Sequence, residues 1–332
     1  MMKIGLETES YHIFFQNRRM NIFDFIERTA QLGCDGVEIN IINDLNLHPE
    51  FGTLESAEPH YLKAVRRAIE ERNLYCEIDT RFTALPDIKK AIYIANFLGA
   101  DVIRTYMFRL GTYDLSKLPQ VIDNLKQAVP LLKANRIKLA VENHEEETAD
   151  ELISVIEAVN SPWVGAHLDI GNGMMAWEDP ITTCKKLAPY TVSTHFKDHL
   201  VTMHNDTPVV CGVPLTEGSI DLEECFKIIV EDSMVTRVNL ESCFPYCSAF
   251  KRPEGTGGWT GGFSGPFAIK EPPFDKAKVL PLDYYYPSKI SPELLEEMLV
   301  RQDEGVKKSV VEMHRLRDKF AKPLQVLEQS VL

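Results

Sequence analysis

The stretch "LAVENHEEE" (residues 139–147) runs from an apolar, strand-like segment directly into charged side chains. Glu142 and His144 are two positions apart, so in an extended chain their side chains point to the same face. We expect the acids that follow, Glu145 to Glu147, to lie in the solvated first turn of a helix, where they suit the helix dipole. Glu142 and His144 need another explanation, because a solvated strand end does not require a carboxylate and an imidazole on one face.

Apolar segments of this kind recur along the chain and alternate with segments that have the apolar spacing of helices. The eight predicted strands cover residues 3–8, 36–41, 74–79, 101–107, 137–143, 163–170, 190–196 and 236–242. Gly33 and Gly99 stand where helix-ending glycines belong, and Ser219 with Asp221 could start a further helix. Eight alternations over roughly 250 residues predict a (β/α)₈ TIM barrel, an α/β fold. A doubly wound sheet is the alternative, but its GxGxxG motif is missing after the first strand.

One segment breaks the alternation. From Cys247 to Ser288 the chain is rich in Gly, Pro and aromatic residues, as in "EGTGGWTGGFSGPF" (254–267). Long loops in compact domains are usually functional or disordered, and the aromatic residues argue against disorder. We expect this insertion to fold over the C-terminal face of the barrel, with Trp259 and the run Tyr284–Tyr286 as candidate contacts.

A helix from about Pro292 to Phe320 is predicted to follow the insertion, and no internal linker marks a second domain. We therefore expect one TIM-barrel domain over residues 1–332. It comprises a barrel (about 3–246), an insertion (247–290) and a C-terminal helical segment (291–332).

The composition restricts the class of partner. The 332-residue chain has a formal net charge of −13, which argues against a nucleic-acid partner and favours a small neutral substrate or a metal cation. Its seven cysteines form no CxxC pair, a pattern typical of reduced thiols in a cytoplasmic protein. We see no signal-peptide pattern and no apolar run of transmembrane length, so we expect neither secretion nor a membrane partner.

The carboxyl ends of four neighbouring predicted strands each carry a side chain able to bind a metal. These side chains are Glu142, Asp169, His195 and Glu241, and strand ends of this kind face one pocket in a TIM barrel. Each alone has a structural explanation: Asp169 could cap a helix, His195 could be a core histidine, and Glu241 could pair with Arg237. Together they predict one divalent-metal site. Three carboxylates and one imidazole favour Mn²⁺ or Mg²⁺ over structural zinc, with Co²⁺ and Zn²⁺ as further alternatives.

The motifs around these residues resemble those of the xylose-isomerase-like TIM barrels, which include sugar isomerases, ketose 3-epimerases, inosose dehydratases and endonuclease IV. They are "VENH" (141–144), "HLDIGN" (167–172), "HFKD" (195–198), "GVPLTEGSID" (212–221) and "NLES" (239–242), and the resemblance covers residues 3 to about 243. It implies a metal on Glu142, Asp169, His195 and Glu241, with both glutamates placed to move protons. Asn172 departs from the family pattern, since epimerases often carry a substrate-binding histidine there.

Such a site supports proton abstraction next to a carbonyl, with the metal as Lewis acid and a carboxylate or imidazole as base. His144 is then a candidate general base that titrates near neutrality; hydrogen bonding to a substrate hydroxyl is its alternative role. Lys197 could neutralise an oxyanion, or it could form a salt bridge to a glutamate at the barrel mouth. The candidate substrate contacts are His167, Asn172, Arg104 and Trp259.

Two enzymatic hypotheses follow from the resemblance. The first is a manganese-dependent sugar isomerase or epimerase that forms an enediolate from a free or 3-keto sugar. The second is a lyase that proceeds from the enediolate to β-elimination, because the chain also resembles the α-subunits of bacterial C-glycoside deglycosidases. Those proteins cleave 3-oxo-C-glucosides together with a small β-subunit, and the aromatic insertion and His144 would suit a bulky aromatic substrate.

Two other hypotheses have less support from the sequence. An AP endonuclease would need additional histidines on the early strands, where this chain offers Glu38, Asn40, Asp79 and Arg81. A barrel retained as a binding or scaffold protein would hold no stoichiometric metal. We expect a homo-oligomer that acts on a small sugar or glycoside, or a hetero-oligomer with a small β-subunit if the lyase hypothesis holds.

Overall fold

Parallel strands form a closed barrel, as the strand and helix alternation predicted. The computed structural model describes residues 2–42, 47–108, 111–279 and 290–320. Its strands are β1 (Lys3–Glu7), β2 (Gly36–Asn40), β3 (Tyr75–Asp79), β4 (Val102–Tyr106), β5 (Lys138–Glu142), β6 (Val164–Asp169), β7 (Thr191–Phe196), β8 (Asp198–His204), β9 (Thr207–Val213), β10 (Arg237–Leu240) and β11 (Cys247–Ala249). The barrel consists of β1 to β7 in sequence order, and β10 closes it between β7 and β1. All eight predicted strands therefore lie in one barrel, and the predicted TIM-barrel fold is confirmed.

Helices lie around the barrel strands, and the longer ones pack on the barrel through their apolar faces. They are α1 (His12–Gln16), α2 (Ile22–Gln31), α3 (Pro59–Glu71), α4 (Leu85–Leu98), α5 (Leu118–Asn135), α6 (Ala149–Val159), α7 (Pro180–Leu187), α8 (Leu222–Asp232), α9 (Lys276–Val279) and α10 (Pro292–Phe320). Gly99 ends α4 in the left-handed conformation at φ 78°, which favours glycine. Asp221 caps α8 by accepting a hydrogen bond from the Glu224 amide, as expected. Within the described residues, no helix is both long and apolar enough to cross a membrane.

A small antiparallel sheet, which the sequence did not predict, stands beside the barrel. The strands β8 and β9 form a hairpin in which His204 pairs with Thr207 across a two-residue turn. The first turn residue, Asn205, has φ 53°, a conformation that asparagine tolerates well. Strand β11 adds to the free edge of β9. Because β8 directly follows β7 and β11 directly follows the loop after β10, this sheet joins the last two barrel strands to the insertion.

The insertion packs on loops at the carboxyl ends of the barrel strands. Lys251 donates its amide to the Met175 carbonyl at 2.8 Å, and Trp259 donates its amide to the Trp177 carbonyl at 3.1 Å. The Trp177 ring stacks on Phe250, with 4.1 Å between the ring centroids. Since Met175 and Trp177 follow β6, the described part of the insertion lies at the C-terminal face, as expected. Tyr284–Tyr286 and residues 321–332 of the predicted terminal segment lie outside the described residues.

Candidate active site

A cavity of about 210 Å³ lies at the carboxyl ends of the barrel strands. The final residues of β2, β3 and β4, which are Asn40, Asp79 and Tyr106, form part of its wall. Five of the site residues predicted from the sequence also line it: Arg104, His144, Asn172, Lys197 and Glu241. The cavity is therefore where the barrel fold and the sequence motifs both expect an active site.

The four predicted metal ligands meet around one nitrogen atom. His195 Nδ1 lies 3.2 Å from Glu142 Oε1, 3.8 Å from Asp169 Oδ2 and 3.1 Å from Glu241 Oε2. Glu142, Asp169 and His195 each offer a donor atom within 4.8 Å of the others. All four residues are buried. Three carboxylates removed from water need a compensating cation, so this donor set fits a divalent metal ion.

The ammonium group of Lys197 compensates part of this charge. Its Nζ lies 2.6 Å from Asp169 Oδ2 and also contacts Glu241 Oε2. Burial lowers the pKa of Lys197, but the carboxylates of Asp169 and Glu241 outweigh burial and raise it well above its ordinary value. Lys197 is therefore charged at neutral pH, and the salt bridge to a glutamate at the barrel mouth is present.

Asp169 holds the turn that follows β6 and also faces the other predicted ligands. Its Oδ1 accepts hydrogen bonds from the amides of Gly171 and Asn172, both at 2.8 Å, and so holds the turn after β6. Its other carboxylate oxygen, Oδ2, faces His195, another of the predicted metal ligands. Asn143 fixes the Asp169 backbone, because its side-chain amide exchanges hydrogen bonds with the Asp169 carbonyl and amide at 2.9 and 3.0 Å. The asparagine of "VENH" thus links β5 to β6, a role that the sequence did not reveal.

The two glutamates predicted to move protons have different surroundings. Glu241 lines the cavity. Glu142 is fully buried, and its carboxylate pairs with Arg104, which also pairs with Asp79. Burial raises the pKa of Glu142, while the Arg104 guanidinium lowers it in part. Arg237 pairs with Glu77 and Asp101, so the suggested Glu241–Arg237 pair is not what holds Glu241.

His144 faces the cavity as a neutral base. Its ring stacks on Tyr106, with 4.1 Å between the centroids and 15° between the planes. Burial, reinforced by the positive charges of Arg104 and Arg81, lowers the pKa of His144 well below 6.5. The expectation that this imidazole titrates near neutrality is therefore wrong, and His144 is unprotonated at pH 7.

Two predicted substrate contacts lie away from the cavity wall. His167 is fully buried beneath Glu142, with its Nε2 3.9 Å from Glu142 Oε1. The Trp259 ring packs on Phe267 inside the insertion, with 5.1 Å between the centroids, and its Nε1 donates to the Gly262 carbonyl. Cys243 and Tyr246, which precede the insertion, line the cavity instead.

The acids after His144 do not form a solvated helical turn, which corrects that expectation. Glu145, Glu146 and Glu147 are buried, and α6 begins only at Ala149. Glu145 has φ 52° and turns the chain toward the insertion. Its carboxylate accepts hydrogen bonds from the hydroxyls of Tyr246 at 2.6 Å and Ser248 at 3.2 Å, and pairs with Lys251 at 3.2 Å. These contacts hold the start of the insertion against the cavity.

The chain belongs to the family of xylose isomerase-like TIM barrels, whose model matches residues 26–254. This finding confirms the resemblance seen in the motifs. A 3-oxo-isoapionate decarboxylase from Pectobacterium atrosepticum is 26% identical over 200 residues, which make up 59% of this chain and 69% of that protein. The family and this relative point to an enzyme of the sugar isomerase, epimerase or a related type.

Solved structures of the same fold cover nearly the whole chain. The IOLI protein, solved with a bound zinc atom, is similar with a TM-score of 0.65 and 14% identity, over 97% of this chain and 100% of that one. A D-psicose 3-epimerase, solved in the presence of D-fructose, has a TM-score of 0.62 and 13% identity over the same shares of the two chains. At this level of identity the likeness shows the fold.

Proposed function

We propose that the protein is a divalent-metal-dependent lyase that forms an enediolate from a 3-keto sugar or 3-oxo-glycoside and then cleaves a bond beside it. In β-elimination the enediolate forms by loss of a C–H proton before the bond breaks, whereas decarboxylation of a 3-oxo acid forms the enolate as CO₂ leaves. Both reactions place negative charge on the former carbonyl oxygen, so both need a group that stabilises this charge. The relative named as a 3-oxo-isoapionate decarboxylase supports a cleavage of this kind. A 3-oxo-C-glucoside with an aromatic aglycone is the substrate class that the deglycosidase resemblance suggests.

The observation that carries the proposal is the placement of the proton-transferring groups. A two-glutamate epimerase needs both carboxylates beside the substrate carbon. Here Glu241 lines the cavity, whereas Glu142 is fully buried and paired with Arg104. The cavity wall also carries the neutral imidazole of His144, which stacking on Tyr106 holds in one orientation. A neutral imidazole at this place is suited to remove the C–H proton that starts an elimination.

The chain's own residues divide the remaining tasks. Glu142, Asp169, His195 and Glu241 would hold the metal ion, with Mn²⁺ as our first choice. When bound, the divalent ion supplies Lewis-acid polarisation of the substrate carbonyl. His144 takes the C–H proton, and Lys197 stabilises the negative charge that develops on the substrate oxygen. The bond to the aglycone then breaks as the enediolate electrons return, and the imidazolium of His144 would give its proton to the departing aglycone. Asn172 and Arg104 both line the cavity and would donate hydrogen bonds to sugar hydroxyls.

Isomerisation or epimerisation is the second candidate, and one observation favours it. Glu241 lines the cavity together with His144, so a proton removed by one of them could be returned by the other. The D-psicose 3-epimerase of the same fold gives this reading a precedent. The cytoplasmic location and the homo- or hetero-oligomeric state stay predictions.

The product separates the two candidates. The Mn²⁺-loaded protein would be incubated in D₂O with 3-keto sugars, with 3-oxo acids and with 3-oxo-glucosides that carry phenolic groups. Release of the phenol or of CO₂ is the result we expect. Deuterium in a recovered or isomerised sugar, without any cleavage, would establish the isomerase or epimerase instead. Absence of both reactions in metal-loaded protein would contradict both candidates.

A further inference from the structure

We propose a second cation site inside the barrel, formed by Glu38, His167 and His195. These three side chains are fully buried, and each offers a donor atom within 4.8 Å of the others. The proposed function leaves Glu38 and His167 without a role, because the structure keeps both away from the cavity wall.

Unpartnered atoms point to a ligand at this place. Among the described residues, neither ring nitrogen of His167 has a hydrogen-bond partner, and neither does Glu38 Oε1. His195 Nε2 accepts or donates no hydrogen bond there either, and its neighbour is Glu38 Oε2, with which it forms an ion pair. Leaving a buried polar group without a partner is destabilising, so a cluster of several such groups in one place is unusual. The Asn239 side chain donates to Glu38 Oε2 at 2.7 Å and steadies the carboxylate while Oε1 stays available.

The second site is distinct from the first and would share His195 with it as a bridging imidazolate, which releases the remaining ring proton to solvent when both ions bind. His195 Nδ1 faces the carboxylates of Glu142 and Glu241, whereas Nε2 lies 3.2 Å from Glu38 Oε2. Glu38 lies two positions before Asn40 on β2, and His167 lies two positions before Asp169 on β6. Side chains two positions apart on a strand point to the same face, so Glu38 and His167 also face the barrel interior, one layer below Asn40 and Asp169. The second site therefore lies beneath the first, toward the barrel interior.

The donor set indicates which ion this site would take. Two imidazoles and one carboxylate suit Zn²⁺ or a similar transition metal better than Mg²⁺ or Mn²⁺, which prefer oxygen ligands. Glu142 Oε1, 3.9 Å from His167 Nε2, is the candidate for a fourth ligand. Bonds of about 2.0–2.1 Å in a tetrahedral zinc site place donor atoms roughly 3.4 Å apart, so small side-chain rotations would close the site.

Metal stoichiometry tests the proposal without using activity. The full chain would be stripped of metal, equilibrated with Zn²⁺, dialysed and measured by elemental analysis. We expect two ions per chain in the wild type and one in His167→Gln. Glu38→Gln, which keeps the shape of the side chain, should also hold one if His167→Gln fails to fold. His12→Gln changes another buried histidine outside both sites and should retain two. With Co²⁺, the intense visible absorption of four-coordinate metal should be lost in His167→Gln and kept in Asp169→Asn.

The outcomes separate this proposal from the proposed function. In one outcome the wild type binds a single ion, which is kept in His167→Gln and lost in Asp169→Asn. This result would overturn the second site and leave the first intact, and it would assign the unpartnered atoms to buried water. One ion that is lost in His167→Gln but kept in Asp169→Asn would support the second site and overturn the first. No bound ion in any of the proteins would overturn both.

Discussion

Replacement of His144 by glutamine tests the base that the proposed mechanism requires. Glutamine keeps a hydrogen-bonding side chain but cannot accept a proton near neutral pH. The stack on Tyr106, with 4.1 Å between the centroids, would be lost at a cost of about 0.5–1.5 kcal/mol in the free energy of unfolding. If His144 only orients the substrate, its loss removes a hydrogen bond worth about 1 kcal/mol, or roughly a fivefold decrease in rate. If it is the general base, kcat should fall by roughly 10²- to 10⁴-fold.

The pH dependence of kcat gives an independent test of the same residue. Because burial and Arg104 lower the pKa of His144 well below 6.5, the imidazole stays neutral and active across the neutral range. The wild-type rate should therefore be level around pH 7 and should fall only as the pH drops through this lowered pKa. The His144→Gln profile should lack this acid limb.

The assay is product release measured by chromatography, with metal content measured on the same samples. His204→Gln, the same change at the end of the hairpin strand β8, is the matched control and should keep the wild-type rate. A His144→Gln protein with full metal content and less than a tenfold loss of rate would refute the assignment of His144 as the base.

Three further predictions concern the metal ligands, the buried side chain of His12 and the insertion. Asp169→Ala or His195→Ala should weaken Mn²⁺ binding by more than the roughly 10- to 100-fold typical of an outer-shell residue; an unchanged Kd in calorimetry would contradict this. Burial lowers the pKa of His12 from 6.5 to about 4, so the unfolded state takes up its proton first as the pH falls. Between pH 7.5 and 5 the free energy of unfolding of the wild type, measured in urea, should fall by about 2 kcal/mol relative to that of His12→Gln. A difference between the two proteins that does not change with pH would contradict the lowered pKa of His12. Glu145→Ala should raise KM and speed proteolysis within residues 250–279, because Tyr246 loses its 2.6 Å hydrogen bond; unchanged values for both would refute the anchoring role.

Strand periodicity and strand ends were sufficient to predict the barrel and the ligand cluster. Each barrel strand is a short apolar run, and in a closed parallel barrel the carboxyl ends must share one face. Glu142, Asp169, His195 and Glu241 could therefore be placed together before any coordinates were known, and they meet around His195 Nδ1.

The missed features depend on contacts between distant segments. The hairpin β8–β9 was not predicted, because its two strands follow β7 without an intervening helix and so depart from the alternation on which the fold prediction rested. Glu142 and Glu241 both stand at strand ends, and their ion pairs distinguish them: Glu142 pairs with Arg104 and Glu241 pairs with Lys197. The burial of Glu145 likewise follows from Tyr246, about a hundred positions away, which no local pattern encodes.

The central claim is that a divalent ion held by the four strand-end ligands drives enolisation of a keto sugar. The most direct measurement prepares metal-free protein with EDTA and adds Mn²⁺ in steps, while metal occupancy and turnover of a 3-keto sugar or 3-oxo-glycoside in D₂O are followed on the same samples. We predict that the metal-free protein is inactive and that turnover rises in proportion to occupancy of the carboxylate site. Full turnover by protein shown by elemental analysis to contain no metal would contradict the claim.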